Sequence, residues 1–236
     1  MNAPKRGDSL RVSCCAFAKI SREWLYSSKL VNRNLLFAIG AIPMSIILLD
    51  IGNVVVLVDF LSFCRSVARD PVAGVQEIFQ KYCIGELKEK LETGLMTPFE
   101  YLEVIARDPH CREIPRRELR ELWQDIFCLQ QGALEAVTQL KESHSVWVMS
   151  DTDPLHFTFL LNNYPLLRSM DRYYLSFEHG KMKNSADAFK YMLESSGCEA
   201  CEFILIDDKP ENCASASKAG IRSLLFDNWK DTLALL

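Results

Sequence analysis

The stretch "IILLDIGNVVVLVDF", residues 46–60, sets a carboxylate, Asp50, between two apolar runs. The first run is the length of a buried strand, and a glycine and an asparagine follow the acid, as at a turn. A charge at that point is out of place in a core unless the strand ends there and delivers it to an edge. Taken alone, Asp50 is as readily a turn residue with Asn53 as a ligand.

Outward from that stretch, the same spelling recurs. "SVWVM" (145–149), "FILI" (203–206) and "RSLLF" (222–226) are short apolar runs of strand length. Ser150 follows the first and Asp207-Asp208 the second. Helical patterns with recognisable ends lie between them. Asp153-Pro154 fits an N-cap with proline at the first helical position, Ser185 caps "ADAFKYMLESS", and Gly197 and Gly220 sit where helices stop. Strand and helix in alternation predict an α/β fold, a Rossmann-like parallel sheet flanked by helices. Residues 60–130 differ: no strand is evident, Phe60, Phe63, Cys64 and Val67 share a helical face, and "TPFE" (97–100) spells a capping box. "PRRELRELWQDIF" (115–127) is a further amphipathic helix. The expected organisation is a core domain of residues 44–59 and 131–236, with an all-helical cap, 60–130, inserted after the first strand.

Residues 1–43 stand apart, with a net charge of +5 against −4 for the whole chain. The simplest reading is a start at Met44, with the leader an artefact of start-site choice. An organelle transit peptide or a loosely docked tail are the other readings. "LLFAIGAIPMSIILL" (35–49) is too short for a bilayer, which takes ~20 residues, and Gly40 and Pro43 interrupt it. The chain is 49% hydrophobic and 25% charged, with no basic run carrying interleaved aromatics. No membrane and no nucleic-acid partner is expected. Nine cysteines without framework spacing read as thiols of a reducing compartment, hence a cytoplasmic protein; a monomer or weak dimer is the expected state.

In an open parallel sheet, ligands bind beyond the carboxyl ends of the strands. Three such ends carry Asp50, Ser150 and Asp207-Asp208, and Lys183 lies in the loop before a helix. Carboxylates, a hydroxyl and a lysine are the parts of Mg²⁺-assisted phosphoryl transfer, in which positioning and charge neutralisation do most of the chemistry. A carboxylate can itself be the nucleophile. Singly, each residue has a plain alternative: Ser150 a cap, Lys183 a surface lysine, Asp207-Asp208 a solvated turn before the Pro210 helix. Other groups promise less. Cys198 and Cys201 form one CxxC without the second pair a zinc site wants. His156 is either a half-buried helix histidine or a group that reaches substrate. Phe60, Phe63, Trp123 and Phe127 read as packing before they read as a ligand box.

The motifs "LLDIGNV" (48–54), "VWVMSDTD" (146–153), "GKMKNSADAF" (180–189) and "ILIDDKPEN" (204–212) stand in the order of the haloacid dehalogenase-like (HAD) hydrolases. The chain resembles that family over about residues 45–236. Within it the chain is most similar to the branch with a DxGN first motif, to which a bacterial α-D-glucose-1-phosphate phosphatase belongs. The resemblance implies a hydrolase of small phosphorylated metabolites acting through an aspartyl-phosphate on Asp50, which also binds Mg²⁺ together with the Gly52 carbonyl, Asp208 and Asp207. It implies that Ser150 and the Asp151 N–H hold the phosphoryl group, that Lys183 offsets charge, that Asn212 supports the site, and that the cap closes over it. Three positions depart from the family pattern. Gly52 stands where most members carry an acid–base aspartate, Asp151 where Asn or Gly is usual, and Asn184 where proline follows the lysine. Without the acid, leaving groups that need little protonation are favoured: sugar 1-phosphates, aryl or acyl phosphates. The competing reading is a degenerate HAD domain that binds a phosphorylated ligand or a partner without turnover.

Overall fold

A computed structural model describes residues 45–236. The readings placed on the leader and on a start at Met44 lie outside the described residues, as do Cys14 and Cys15. Five parallel strands form the main sheet in the order β5-β4-β1-β6-β7: β1 is Ile46–Leu49, β4 Ser145–Ser150, β5 Arg172–Leu175, β6 Phe203–Asp207 and β7 Arg222–Leu225. β1 is central. Its register sets Leu49 between Val148 of β4 and Ile206 of β6, so the residues that follow emerge side by side.

The continuous apolar spelling of β1 has a direct cause. Both faces of the sheet are covered, so alternation gives way to a wholly buried run. Ile47 and Leu49, with Val146, Val148, Ile204 and Ile206, pack under the Ala133–Ser143 helix and Trp229. Ile46 and Leu48, with Trp147, Met149, Phe203 and Leu205, pack under Phe189 and Met192 of the Ala186–Ser196 helix. Each such aliphatic side chain contributes about 1.5–3 kcal/mol on burial.

Between β1 and β4 the chain builds a second apolar cluster from Phe63, Tyr82, Tyr101, Leu119, Trp123 and their neighbours. The helices run Phe60–Val67, Val75–Ile78, Glu86–Glu92, Pro98–Ala106 and Arg116–Gln124, with a π-turn at Phe79–Cys83. The capping box at Thr97 and Glu100 forms in both directions. Two expectations need correction. The segment 60–130 is not free of strands: β3, Phe127–Leu129, pairs antiparallel with β2, Val56–Val58. The amphipathic helix ends at Gln124, with Asp125 as its cap, short of Phe127. Strands of three residues are too short for period-two alternation to show. β5, spelled Arg-Tyr-Tyr-Leu, was likewise masked by its polar, edge-strand character. No helix among the described residues is long and apolar enough to cross a membrane.

Candidate active site

Six of the expected residues, Asp50, Asp151, Lys183, Asp207, Asp208 and Asn212, are brought together at the carboxyl ends of β1, β4 and β6. Asp50 leaves β1 with its N–H donating to the Ile206 carbonyl at 3.0 Å, which locks it beside β6. Lys183 is 2% exposed, and its ammonium lies 2.7 Å from Asp50 Oδ1 and 2.6 Å from Asp207 Oδ2. Asp207 is fully committed, its Oδ1 accepting from the Lys209 N–H at 3.0 Å and from Asn212 Nδ2 at 2.9 Å. Asn212 thus lies against Asp207, in the same network as Lys183.

Asp208 is different. Its Oδ2 accepts from Asn53 Nδ2 at 3.1 Å, whereas its Oδ1 is buried without a hydrogen-bond partner. Buried polar atoms are nearly always paired, so an orphan asks for a ligand. Asp50, Asp207 and Asp208 offer carboxylate oxygens that lie within 4.8 Å of one another, and they form the only such group of His, Cys, Asp or Glu among the described residues. Hard oxygen donors and one unsatisfied atom fit Mg²⁺. Cys198 and Cys201 take no part in that group.

The charges are strongly coupled. Burial is the main force on Asp50; Lys183 pulls its pKa down, Asp207 pushes it up, and the result is about 7. Burial works against the Lys183 charge too, but Asp50, Asp207 and Asp151 outweigh it and hold the ammonium well above the usual lysine range. On Asp207 burial is outweighed by Lys183, and the carboxyl lies below its ordinary range.

β4 ends in buried Ser150, and Asp151 follows. The Asp151 carboxylate is turned to the Lys183 backbone, whose N–H donates to its two oxygens at 3.1 and 3.2 Å. Burial raises its pKa against the pull of Lys183. Asp151 thus ties two loops together. The loop after Lys183, which lacks the stiffening proline, is anchored instead by Ser215 Oγ donating to the Asn184 carbonyl at 2.8 Å.

Gly52 lies on the turn that carries Asn53 to Asp208. Asn53 is the one described non-glycine residue with positive φ, 55°, a region asparagine tolerates better than most. A Cβ built on Gly52 would meet Val58 Cγ2 at 3.5 Å, an ordinary contact, and its φ is not positive. The position has room for a side chain.

Sequence reasoning missed Asn53 as a holder of Asp208; the signal was an asparagine after glycine, read only as a turn. It also missed Lys88 and Glu92, an i,i+4 pair that a sequence places on a solvated helix face. Both are buried, they are ion-paired, and the Glu92 charge is felt at Asp151.

Comparisons with known proteins bear on the fold and the family. The chain is 23% identical over 200 residues to a D-ribitol-5-phosphate phosphatase of Bacteroides thetaiotaomicron, covering 80% of this chain and 97% of that one. A HAD family enzyme of Bacteroides thetaiotaomicron, solved with magnesium and inorganic phosphate, superposes with a TM-score of 0.68 at 22% identity, over 80% of this chain and 98% of that one. A HAD-like family hydrolase of Porphyromonas gingivalis gives 0.67 at 22% identity, over 82% and 98%. The model of the haloacid dehalogenase-like hydrolases matches residues 72–226, which takes in Ser150, Lys183 and Asp207-Asp208 and begins after Asp50. With more than half of its length matched by that model, the chain belongs to the haloacid dehalogenase-like hydrolase family.

Proposed function

We propose that the protein is a Mg²⁺-dependent phosphatase of small phosphorylated metabolites, a cytoplasmic enzyme in which Asp50 is the nucleophile. The observation that carries this reading is the Lys183 ammonium between Asp50 and Asp207, with the unpartnered Asp208 oxygen beside them. Asp50, Asp208 and the Gly52 carbonyl would hold the ion, with Asp207 contributing through its surroundings. When bound, Mg²⁺ supplies charge neutralisation for the phosphoryl oxygens.

The chain's own groups do the rest. An Asp50 oxygen attacks phosphorus and forms an aspartyl-phosphate as the ester oxygen departs; water then attacks phosphorus and frees the carboxylate. Lys183, held rigidly by two carboxylates, offsets the charge that gathers there. The Ser150 hydroxyl and the Asp151 N–H grip the equatorial oxygens. The Asp151 carboxylate is spent on the Lys183 backbone and does not oppose the incoming dianion as directly as its charge alone suggests. The helical segment closes over the substrate and brings Lys88 and Glu92 to that side.

Gly52 supplies no acid, and such help is typically worth ~10²–10⁴-fold. Substrates with good leaving groups, such as sugar 1-phosphates, are therefore favoured over alkyl phosphates. Hydrolysis of p-nitrophenyl phosphate tests the reaction itself. Turnover that requires both added Mg²⁺ and Asp50 supports the phosphatase; folded protein that binds Mg²⁺ without turnover supports a non-catalytic binding domain. Comparing α-D-glucose 1-phosphate with D-ribitol 5-phosphate tests the leaving-group argument, which equal rates would overturn.

A further inference from the structure

His156 lies in the first turn of the Pro154–Asn163 helix, six residues past Ser150, and is 3% exposed. Both of its ring nitrogens are engaged. Nδ1 is 2.8 Å from Asp153 Oδ2, and Nε2 is 2.7 Å from the Trp123 carbonyl oxygen. An ionised carboxylate and a carbonyl only accept hydrogen bonds. A neutral imidazole has one N–H, so it would leave one of these two short contacts without a hydrogen. Asp153 is itself fully buried; burial works to raise its pKa, but the charge and hydrogen bonds of His156 outweigh it and hold the carboxyl below its usual range.

The surroundings suit a cation. The Trp123 indole stacks on the imidazole at 4.7 Å between centroids and 19° between planes. Phe127 stands edge-on at 5.0 Å, and Phe60 lies at 6.2 Å. A cation on an aromatic face is attracted by the ring quadrupole, the more so when both are desolvated. Other ionisable groups face this nest from neighbouring helices. Lys88 lies over the Phe60 ring, neutralised by Glu92, and Tyr101 packs on Trp123.

The location gives the arrangement its meaning. The chain leaves the sheet for the helical segment at Asp59-Phe60 and returns at Ile126-Phe127, and the Asp59 N–H donates to the Ile126 carbonyl at 2.8 Å. Phe60 and Phe127, one from each crossing, both touch His156. Trp123 closes the helical side, donating from Nε1 to Asp153 Oδ2 at 3.3 Å. We infer that His156 is a charged hinge pin: an imidazolium, clamped between Asp153 and the Trp123 carbonyl, that fixes both crossings of the helical segment against the helix following Ser150 and Asp151. It is a positioning residue for the site just proposed, and the consequence for catalysis rests on that proposal. The pin itself does not.

The test reads the pin without reading activity. Full-length protein labelled with ¹⁵N-histidine at pH 7 gives one long-range ¹H–¹⁵N pattern per ring, and the His156→Gln spectrum identifies the one that disappears. The expected pattern for His156 is two protonated nitrogens, changing to a single neutral tautomer in Asp153→Asn, a variant that keeps an N-cap. A neutral tautomer in the wild type would overturn the inference. Amide exchange in His156→Phe, with an aromatic ring retained, should quicken by about tenfold or more at residues 59–60 and 126–127 while β1 stays protected. Unchanged exchange at the crossings would overturn the hinge role. A wild type that shows the pin but no turnover would count against the proposed phosphatase alone.

Discussion

Two buried carboxylates, one in the helical segment and one at the sheet edge, are served in opposite ways. Asp108 receives Lys81 Nζ and the Tyr82 hydroxyl on Oδ2, each at 2.6 Å, and the His110 N–H and ring on Oδ1 at 2.8 and 2.9 Å. Burial pushes its pKa up, but these donors outweigh burial and hold it well below the usual carboxylate range. At the sheet edge Asp50 has Lys183 and its neighbour's N–H, competes with Asp207 for the lysine, and is pushed up to about 7. Asp208 keeps an oxygen with no donor at all. Acids that are saturated hold a fold together; acids left short of donors are available to a ligand. The contrast separates structural from functional charge where burial alone does not.

The sharpest way to break the comparison is at Asp50. Asp50→Asn keeps the shape and removes the proposed nucleophile, and turnover of p-nitrophenyl phosphate should fall by roughly 10⁴-fold or more with the fold intact by circular dichroism. A variant that retained a tenth of the activity would put the nucleophile elsewhere. Next, Lys183→Met leaves Asp50 and Asp207 facing each other without a cation. Breaking a buried pair typically costs 3–5 kcal/mol, so a large loss in the urea midpoint should accompany loss of turnover. An unchanged midpoint would show that the lysine is not the clamp described.

Gly52→Asp sharpens the argument about the missing acid. The Cβ fits at this position, so the protein should fold, and alkyl phosphate hydrolysis should rise by about 10²-fold with little gain on p-nitrophenyl phosphate. Equal gains on both would deny the leaving-group explanation. The smallest effect belongs to Asp108→Asn. It should cost about 1–3 kcal/mol of stability and leave kcat unchanged. Because the Asp108 pKa is depressed by folding, its contribution is present above the ordinary carboxylate pKa of ~3.9 and is lost as pH falls through the folded value. The gap in Tm between wild type and variant should therefore be full at pH 7 and shrink in acid. A gap independent of pH would mean that Asp108 acts through shape and not charge.

What could be read from the sequence follows from the same physics. Asp50, Ser150 and Asp207-Asp208 were legible because each interrupts or ends an apolar run, and a charge after a buried strand has few other uses. Lys183 was legible only through a family resemblance, since nothing local marks a lysine that will be 2% exposed. The hold of Asn53 on Asp208 spans 155 positions, and no local pattern announces it. The His156 nest draws on Phe60, Trp123, Phe127 and Asp153, which meet only once the helical segment has folded back. β2 and β3 hid because three residues carry no readable period.

The most direct test is to trap Asp50. Beryllofluoride forms a phosphoryl-like adduct on an ionised aspartate that has a cation and a lysine beside it. Fluorine NMR of the protein with beryllium, fluoride and Mg²⁺ should show a bound signal, which is absent without Mg²⁺ and absent in Asp50→Asn. A bound signal that survives Asp50→Asn, or no signal from folded wild-type protein with Mg²⁺ bound, would contradict the assignment of Asp50 as the nucleophile.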